Sequence, residues 1–191
     1  MADSNITKSA LAIALKNLMM EKPFEKISVS DICESCGMNR KSFYYHFKDK
    51  YDLVNWIFYM DFIGSIKLDS YQTAWDVIED FCEKFYSERD FYVEAFQITG
   101  QNSFREYVID TIRPIVGFFI GDYYAEQNKL DFFTISLGDI LITAIMRWLM
   151  DGMQMKPAEF VAGIRSGCVG IAKQVLEDEE KETKNTGDKA K

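Results

Sequence analysis

Residues 28–50 read SVSDICESCGMNRKSFYYHFKDK, from Ser28 to Lys50, and the organisation of the whole chain follows from how this stretch folds. Ser28 with Asp31 three residues later has the form of a capping box. The hydroxyl accepts from the backbone N–H of the fourth residue, whose carboxylate reaches back to the first. The spacing therefore predicts a helix starting here. Val29, Ile32, Cys33 and Cys36 fall at i, i+3, i+4 and i+7, one apolar stripe on that helix. Gly37 ends it, because glycine takes the left-handed conformation that closes a helix without a Cβ penalty. Asn39 then caps a second helix, in which Phe43 and Phe47 stand one turn apart and face inward. Two helices joined by a glycine-containing turn of about three to four residues make a helix-turn-helix.

Placing Phe43 and Phe47 inward fixes what points out, since each residue advances about 100° around the axis. Lys41 and Tyr45 lie nearly opposite the buried face, Ser42 and Tyr44 flank them, Arg40 sits on one shoulder and His46 on the other, close to the core. This set is cationic, hydroxyl-bearing and aromatic. It suits the second helix of such a motif lying in a DNA major groove.

Ser42-Phe43-Tyr44-Tyr45-His46-Phe47, followed by Lys48-Asp49-Lys50 and Asp52-Leu53, resembles the end of the DNA-binding domain of TetR-family transcriptional regulators, as does Ile27-Ser28-Val29 leading into Ile32 and Gly37. The resemblance covers residues 6–55; beyond them only the helical layout and a Trp-x-x-x-Gly pair, Trp148 and Gly152, are similar to the family. Lys22-Pro23-Phe24 and Asn55-Trp56 most resemble regulators linked to dihydroxyacetone kinase operons. The resemblance implies that Tyr44 and Lys50 meet phosphates and that Arg40, Lys41 and Tyr45 choose bases. Asn39 and Ser42, at the start of the same helix, belong to the implied DNA surface. Thr7, near the start of the first helix, and Ser28, at a helix N-terminus, reach phosphate in the same picture. His46 either donates to a phosphate or satisfies the core, and its angle beside Phe43 favours the core.

Composition is that of an ordinary water-soluble chain: 191 residues, 48% hydrophobic, net charge −8. An acidic total argues against a nucleic-acid partner unless the cations are gathered in one place. Residues 1–55 hold eight Lys/Arg against seven Asp/Glu, a net +1, and the rest fourteen against twenty-three, a net −9. From Cys36 to Lys50 there are four basic residues and one acidic, so the local cation excess coincides with the motif. No secretory pattern opens the chain, and four cysteines make no disulfide framework, so a reducing cytoplasm is expected.

Before the motif, Ile6, Ala10, Ala14 and Leu18, widened by Leu11, Leu15 and Met19, predict a helix from Asn5 to Glu21 that stops before Pro23. After it, Asp49 caps a long helix predicted from Lys50 to Leu68. Aromatic-rich helical segments follow at Gln72–Ser87, Glu88–Thr99, Ser103–Glu126, Asp131–Asp151 and Pro157–Asp178. Breaks are expected at Gly100, at Asn128-Lys129 and from Gly152 to Pro157, with Pro114 kinking or dividing its segment. The expected architecture is all-α. A three-helix head occupies residues 1–48, a long helix joins it to a helical effector-binding and dimerisation domain over 49–178, and residues 179–191 form a charged, disordered tail.

In the segment Asp131–Asp151, Phe133, Leu137, Ile140, Leu141, Ala144, Ile145, Trp148 and Leu149 make one apolar face, and Ile135, Ile142, Met146 and Met150 a second. Asp139 and Arg147 within it, each costing about 2.5–3.5 kcal/mol at a bilayer centre, argue against a membrane span. In the last helix Gly163, Gly167 and Gly170 fall at i, i+4 and i+7. Glycine in a helix interior costs about 1 kcal/mol relative to alanine, so a bare stripe of three points to close approach of another helix, within the subunit or across a dimer. TetR-like regulators dimerise through their last two helices, so the resemblance implies a homodimer with Ile142, Met146, Gly163, Gly167 and Gly170 at the interface. It also implies an effector pocket in the aromatic-rich body or, for the dihydroxyacetone kinase type, a protein coactivator on its outer surface.

Rival chemistries have little to stand on. Cys33 and Cys36 form a C-x-x-C, which serves redox or zinc sites elsewhere, but both sulfurs fall on the apolar face, no second pair exists and the chain has one histidine. No nucleophile elbow, phosphate-binding glycine loop or H-E-x-x-H occurs, so neither an enzyme nor a cofactor is expected. The alternative function is an all-helical interaction or redox protein in which Cys33 and Cys36 act.

Overall fold

The computed structural model describes residues 2–100, 103–120 and 127–188. Within them the chain forms nine α-helices, three short 3-10 turns and no strand. The first helix, α1 (Ala2–Glu21), begins three residues earlier than the expected Asn5 and ends before Pro23. A 3-10 turn at Phe24–Lys26 leads into α2 (Val29–Ser35), which starts on the expected capping box. The Asp31 N–H donates to Ser28 Oγ at 3.1 Å and the Ser28 N–H to Asp31 Oδ2 at 2.9 Å. Gly37 has φ +66°, its N–H donates to Glu34 O, and Met38 N–H donates to Cys33 O at 2.8 Å. That is a Schellman closure, and it is the turn of the motif. The helix α3 (Arg40–His46) is capped by Asn39, whose Oδ1 accepts from Ser42 N–H at 2.9 Å. Leu11, Leu15, Phe24, Ile27, Ile32, Phe43, Phe47 and Leu53 fill the head's core.

Asp49 caps α4 (Lys50–Asp61) as expected, but the helix stops at Asp61 and not at Leu68; 3-10 turns at Ile63–Ser65 and Leu68–Ser70 follow. Gly64 weakens any continuation by about 1 kcal/mol. Phe62 finds a better place off the helix, its ring stacked on Phe81 at 4.6 Å. Tertiary packing overrides the helical pattern here.

The body comprises α5 (Ala74–Ser87), α6 (Arg89–Phe96), α7 (Phe104–Ile120), α8 (Gln127–Met150) and α9 (Pro157–Asp188). Its centre is aromatic: Phe58 of α4 meets Phe62, Phe81, Phe85 and Phe104 at ring distances of 4.6–6.4 Å, and Tyr92 and Phe96 complete the cluster. The helix α8 packs on α7, and α9 on α5. Asn128-Lys129 is not a break but lies in the first turn of α8. Pro114 leaves α7 undivided; it stands on the exposed side, where water takes the carbonyl it cannot serve. The part of that segment expected to run from 121 to 126 lies outside the described residues. Gly152, φ +86°, closes α8 with Gly152 N–H to Leu149 O and Met153 N–H to Trp148 O. Trp148 then donates from Nε1 to Met155 O at 3.0 Å and stacks on Phe160 at 4.7 Å, so the Trp-x-x-x-Gly pair is a turning device between α8 and α9.

The helix α9 runs on to Asp188, ten residues past the end expected at Asp178. On α8 the residues expected at a dimer interface do not all face outward. Ile142 is 1% exposed, inside the subunit, while Ile140 is 64% exposed. Two residues apart is about 200° on a helix, so burying one exposes the other.

Candidate nucleic-acid interface

The outward face of α3 is held by its inward one. Phe43 and Phe47 are buried, with ring centroids 5.7 Å apart, and Phe47 also meets Trp56 of α4 at 5.7 Å. With that face locked, Arg40, Lys41, Tyr44 and Tyr45 stand in solvent, Tyr44 at 50% and Tyr45 at 82% exposure. An exposure of that size for two tyrosines on one short helix leaves flat, hydroxyl-tipped surface open to solvent. Arg40 leans along the helix, its guanidinium 5.8 Å from the Tyr44 ring centre and 3.5 Å from its hydroxyl. His46 is half-buried, edge-on to Tyr45 at 4.9 Å and 6.4 Å from Phe47, which agrees with its shoulder position.

Several expected contact residues have other work. Asn39 Oδ1 accepts from both the N–H and the hydroxyl of Ser42, so these two side chains start α3. The Ser28 hydroxyl starts α2 in the same way, and Thr7 is half-buried on α1. Lys50 departs furthest from the phosphate role. Its ammonium lies 4.3 Å from the Phe24 ring centre and donates to the carbonyls of Phe24, Glu25 and Ile27 at 2.7, 3.2 and 2.8 Å. Three donors meet three acceptors, so the cation closes the 3-10 turn before α2, and burial pushes its pKa down. A basic residue after a cap looks the same in sequence whether it points to solvent or back to carbonyls. Lys22, passed over in the sequence, holds Asp31 at 2.9 Å beside the same turn.

Cys33 is buried and Cys36 half-buried, with Cys36 Sγ donating to Ile32 O at 3.3 Å. Burial pushes both thiols above their ordinary value, the opposite of what a nucleophilic pair needs.

Residues 13–57 match the sequence pattern of the bacterial regulatory proteins of the tetR family, and residues 72–166 match that of a transcriptional regulator C-terminal region of the same series. The chain belongs to the TetR family. Over 75 residues it is 37% identical to the HTH-type dhaKLM operon transcriptional activator DhaS of Lactococcus lactis; that stretch is 39% of this chain and spans 40% of the relative. Among solved structures, the dihydroxyacetone kinase operon activator DhaS superposes with TM-score 0.66 at 20% identity, covering 88% of this chain and 97% of that one. NalD, a secondary repressor of the MexAB-OprM multidrug efflux pump in Pseudomonas aeruginosa, superposes with TM-score 0.60 at 14% identity, covering 87% and 95%.

In this TetR-family chain the glycine stripe of α9 is open among the described residues: a Cβ built at Gly163, Gly167 or Gly170 would have none of their atoms within 4 Å. Phe160 and Val161 are buried in the first turn of α9, but residues 165–171 are exposed throughout, Val169 and Ile171 included. Met146 is half-buried against the core, so of the five interface residues expected from the sequence only the glycines are fully open. On α8 an outer groove is walled instead by Asp139, Ile140, Thr143, Ala144 and Arg147. A cavity of about 90 Å³ lies between the end of α4 and α5, bounded by Asp61, Phe62, Tyr71, Asp80, Phe81 and Lys84. Among the described residues no helix is long and apolar enough to cross a membrane.

Proposed function

We propose that this chain is a homodimeric, sequence-specific DNA-binding transcriptional regulator, working in the cytoplasm, whose head is gated by an effector bound to the body. The observation that carries the reading is α3, where Arg40, Lys41, Tyr44 and Tyr45 are exposed on a helix whose opposite face is fixed by Phe43 and Phe47. Lys41 and Tyr45, opposite the buried face, read bases; Tyr44, on the flank, meets phosphate, with Arg40 beside it. Lys50 supports the surface from behind. We take residues 1–48 as the DNA-binding unit and the helices after it as the effector and dimerisation unit.

Dimerisation is supported by the open stripe of Gly163, Gly167 and Gly170, which presents backbone to a partner helix, and by the exposed Ile140 side of α8. The local likeness to DhaS supports a regulator of that type. The two kinds of effector the resemblance implies stay open: a small molecule, for which the cavity beside Asp61 and Tyr71 is a candidate entry, or a protein coactivator on the outer surface. The same fold serves a named activator and a named repressor, so the fold leaves the sign of regulation to the operator.

Titration of the protein against random duplex DNA at several salt concentrations tests the reading. Binding with a steep salt slope is expected, and no binding at low salt would return the chain to the interaction-protein alternative. The assignment within α3 separates by variant: Tyr44→Ala weakens all duplexes alike, whereas Lys41→Ala or Tyr45→Ala relaxes preference at one or two positions by about 1–3 kcal/mol.

A further inference from the structure

Four charges and a phenol meet where the head touches the body. Lys16 Nζ, on α1, lies 3.1 Å from Asp61 Oδ2 at the end of α4 and 3.0 Å from Glu88 Oε2 at the start of α6. Lys84 Nζ of α5 closes the square, 3.2 Å from Glu88 Oε1 and 3.6 Å from Asp61 Oδ1. Tyr92 of α6 donates its hydroxyl to Asp61 Oδ2 at 2.7 Å, and the Lys16 ammonium also stands 5.3 Å from the centre of the Phe91 ring. All four charged side chains are 18–31% exposed, so the cluster is shielded well beyond an ordinary surface pair. Burial works against the Glu88 carboxylate, yet hydrogen bonds from Lys16 and Lys84 outweigh it and hold its pKa below the ordinary value.

The head is joined to the body covalently through α4, whose first turns pack in the head and whose last residue is Asp61. One connection leaves rotation about α4 open. The head helix α1, which packs on α6, supplies a second, and its Lys16 ties the end of α4 to Glu88, which stands between α5 and α6. Two attachments on different helices fix the tilt of the head relative to the body.

We propose that Lys16 is a positioning residue for operator geometry: through Asp61 and Glu88 it sets the head's orientation on the body, and hence which separation of half-sites the dimer accepts. This rests on the dimeric DNA-binding reading above. Lys16 touches no base in this picture. It restricts the distance and angle between two α3 helices, each of which reads its own half-site.

The test is enrichment from a pool of random duplexes, with wild type, Lys16→Met, Lys16→Arg and Glu88→Gln run in parallel, and circular dichroism melting on the same preparations. Wild type enriches one pair of half-sites at one separation. Lys16→Met, which keeps most of the aliphatic stem, enriches the same half-sites at several separations, and preference for the best spacing over one shifted by a base pair falls about tenfold. Lys16→Arg keeps the wild-type spacing, and Glu88→Gln, which leaves the Asp61 contact, lies between. If Lys16→Met melts lower but keeps a single spacing, Lys16 is merely structural and the proposal is overturned. Should Lys16→Met fail to fold, a Glu88→Gln protein with unbroadened spacing overturns it equally. Failure of wild type itself to enrich paired half-sites removes the dimeric regulator reading and this proposal with it, a result distinct from unbroadened variants.

Discussion

The head and the body of this protein are built by different means. In the head, α2 and α3 each begin on a side-chain cap, Ser28 and Asn39, as does the connecting α4 on Asp49, and each of the three is at most twelve residues long. In the body, α5 has such a cap at Thr73, whereas Glu88 before α6 makes no capping bond and turns its carboxylate to Lys16 and Lys84. What orders the body is ring packing around Phe58, between helices distant in sequence. Local specification lets the head keep a small core and still offer a rigid polar face; non-local packing lets the body hold long helices whose far sides stay apolar and open.

The largest effect should come from breaking the body's device. Phe58 is fully buried and meets Phe62, Phe81, Phe85, Phe104 and Tyr107, so Phe58→Ala removes a ring from five neighbours and leaves a cavity. A loss of about 3–5 kcal/mol is expected in urea denaturation. A loss of only about 1 kcal/mol, the size of a removed cap, would mean that local starts hold the body too.

That contrast explains what was legible beforehand. The caps, the Gly37 turn and the inward Phe43/Phe47 pair are written within a few residues of one another, so the motif could be read from spacing alone. The end of α4 could not, because Phe62 leaves the helix for Phe81, nineteen positions away. On α8 the apolar residues nearly encircle the helix, so periodicity carries no direction; packing on α7, α6 and α5 decides that Ile142 goes in and Ile140 out. The partners of Lys50 are hidden from spacing for the same reason, since its acceptors at Phe24, Glu25 and Ile27 lie more than twenty positions upstream.

Lys50 sharpens the comparison inside the head. Removing the ammonium in Lys50→Met takes a donor from three carbonyls, of which Phe24 O keeps the Ile27 N–H, for an expected loss of about 1–3 kcal/mol. The salt slope of DNA binding should stay unchanged in protein that remains folded. A slope lower by about one would put Lys50 back at a phosphate.

On the body's open side, Gly167→Val adds a branched side chain where none of the described residues offers a contact within 4 Å. The isolated subunit should fold at least as well, because glycine in a helix interior is itself unfavourable by about 1 kcal/mol. The dimer should weaken by about 1–3 kcal/mol from overpacking, seen as a shift towards monomer in sedimentation and a parallel loss of operator affinity. A fully dimeric Gly167→Val protein would free the stripe from the interface.

The smallest expected effect tests whether the head's local starts are as firm in solution as their geometry. The Ser28 backbone N–H, then the Lys22 ammonium, lower the Asp31 carboxyl from its ordinary 3.8 to about 2. A carboxyl whose folded pKa is depressed contributes stability that is fully present above the unfolded value and is lost as the pH falls through the folded one. The window is therefore pH 3.8 down to about 2. Urea midpoints measured across it for wild type and Asp31→Asn share every other titrating group, so their difference isolates this one. Wild type should start above the variant at pH 5 and converge on it as the box is protonated. Parallel curves would show that Asp31 gains nothing from Ser28 and Lys22 in solution, and that α2 owes its start to the Ile32 and Phe43 contacts behind it rather than to its own first turn.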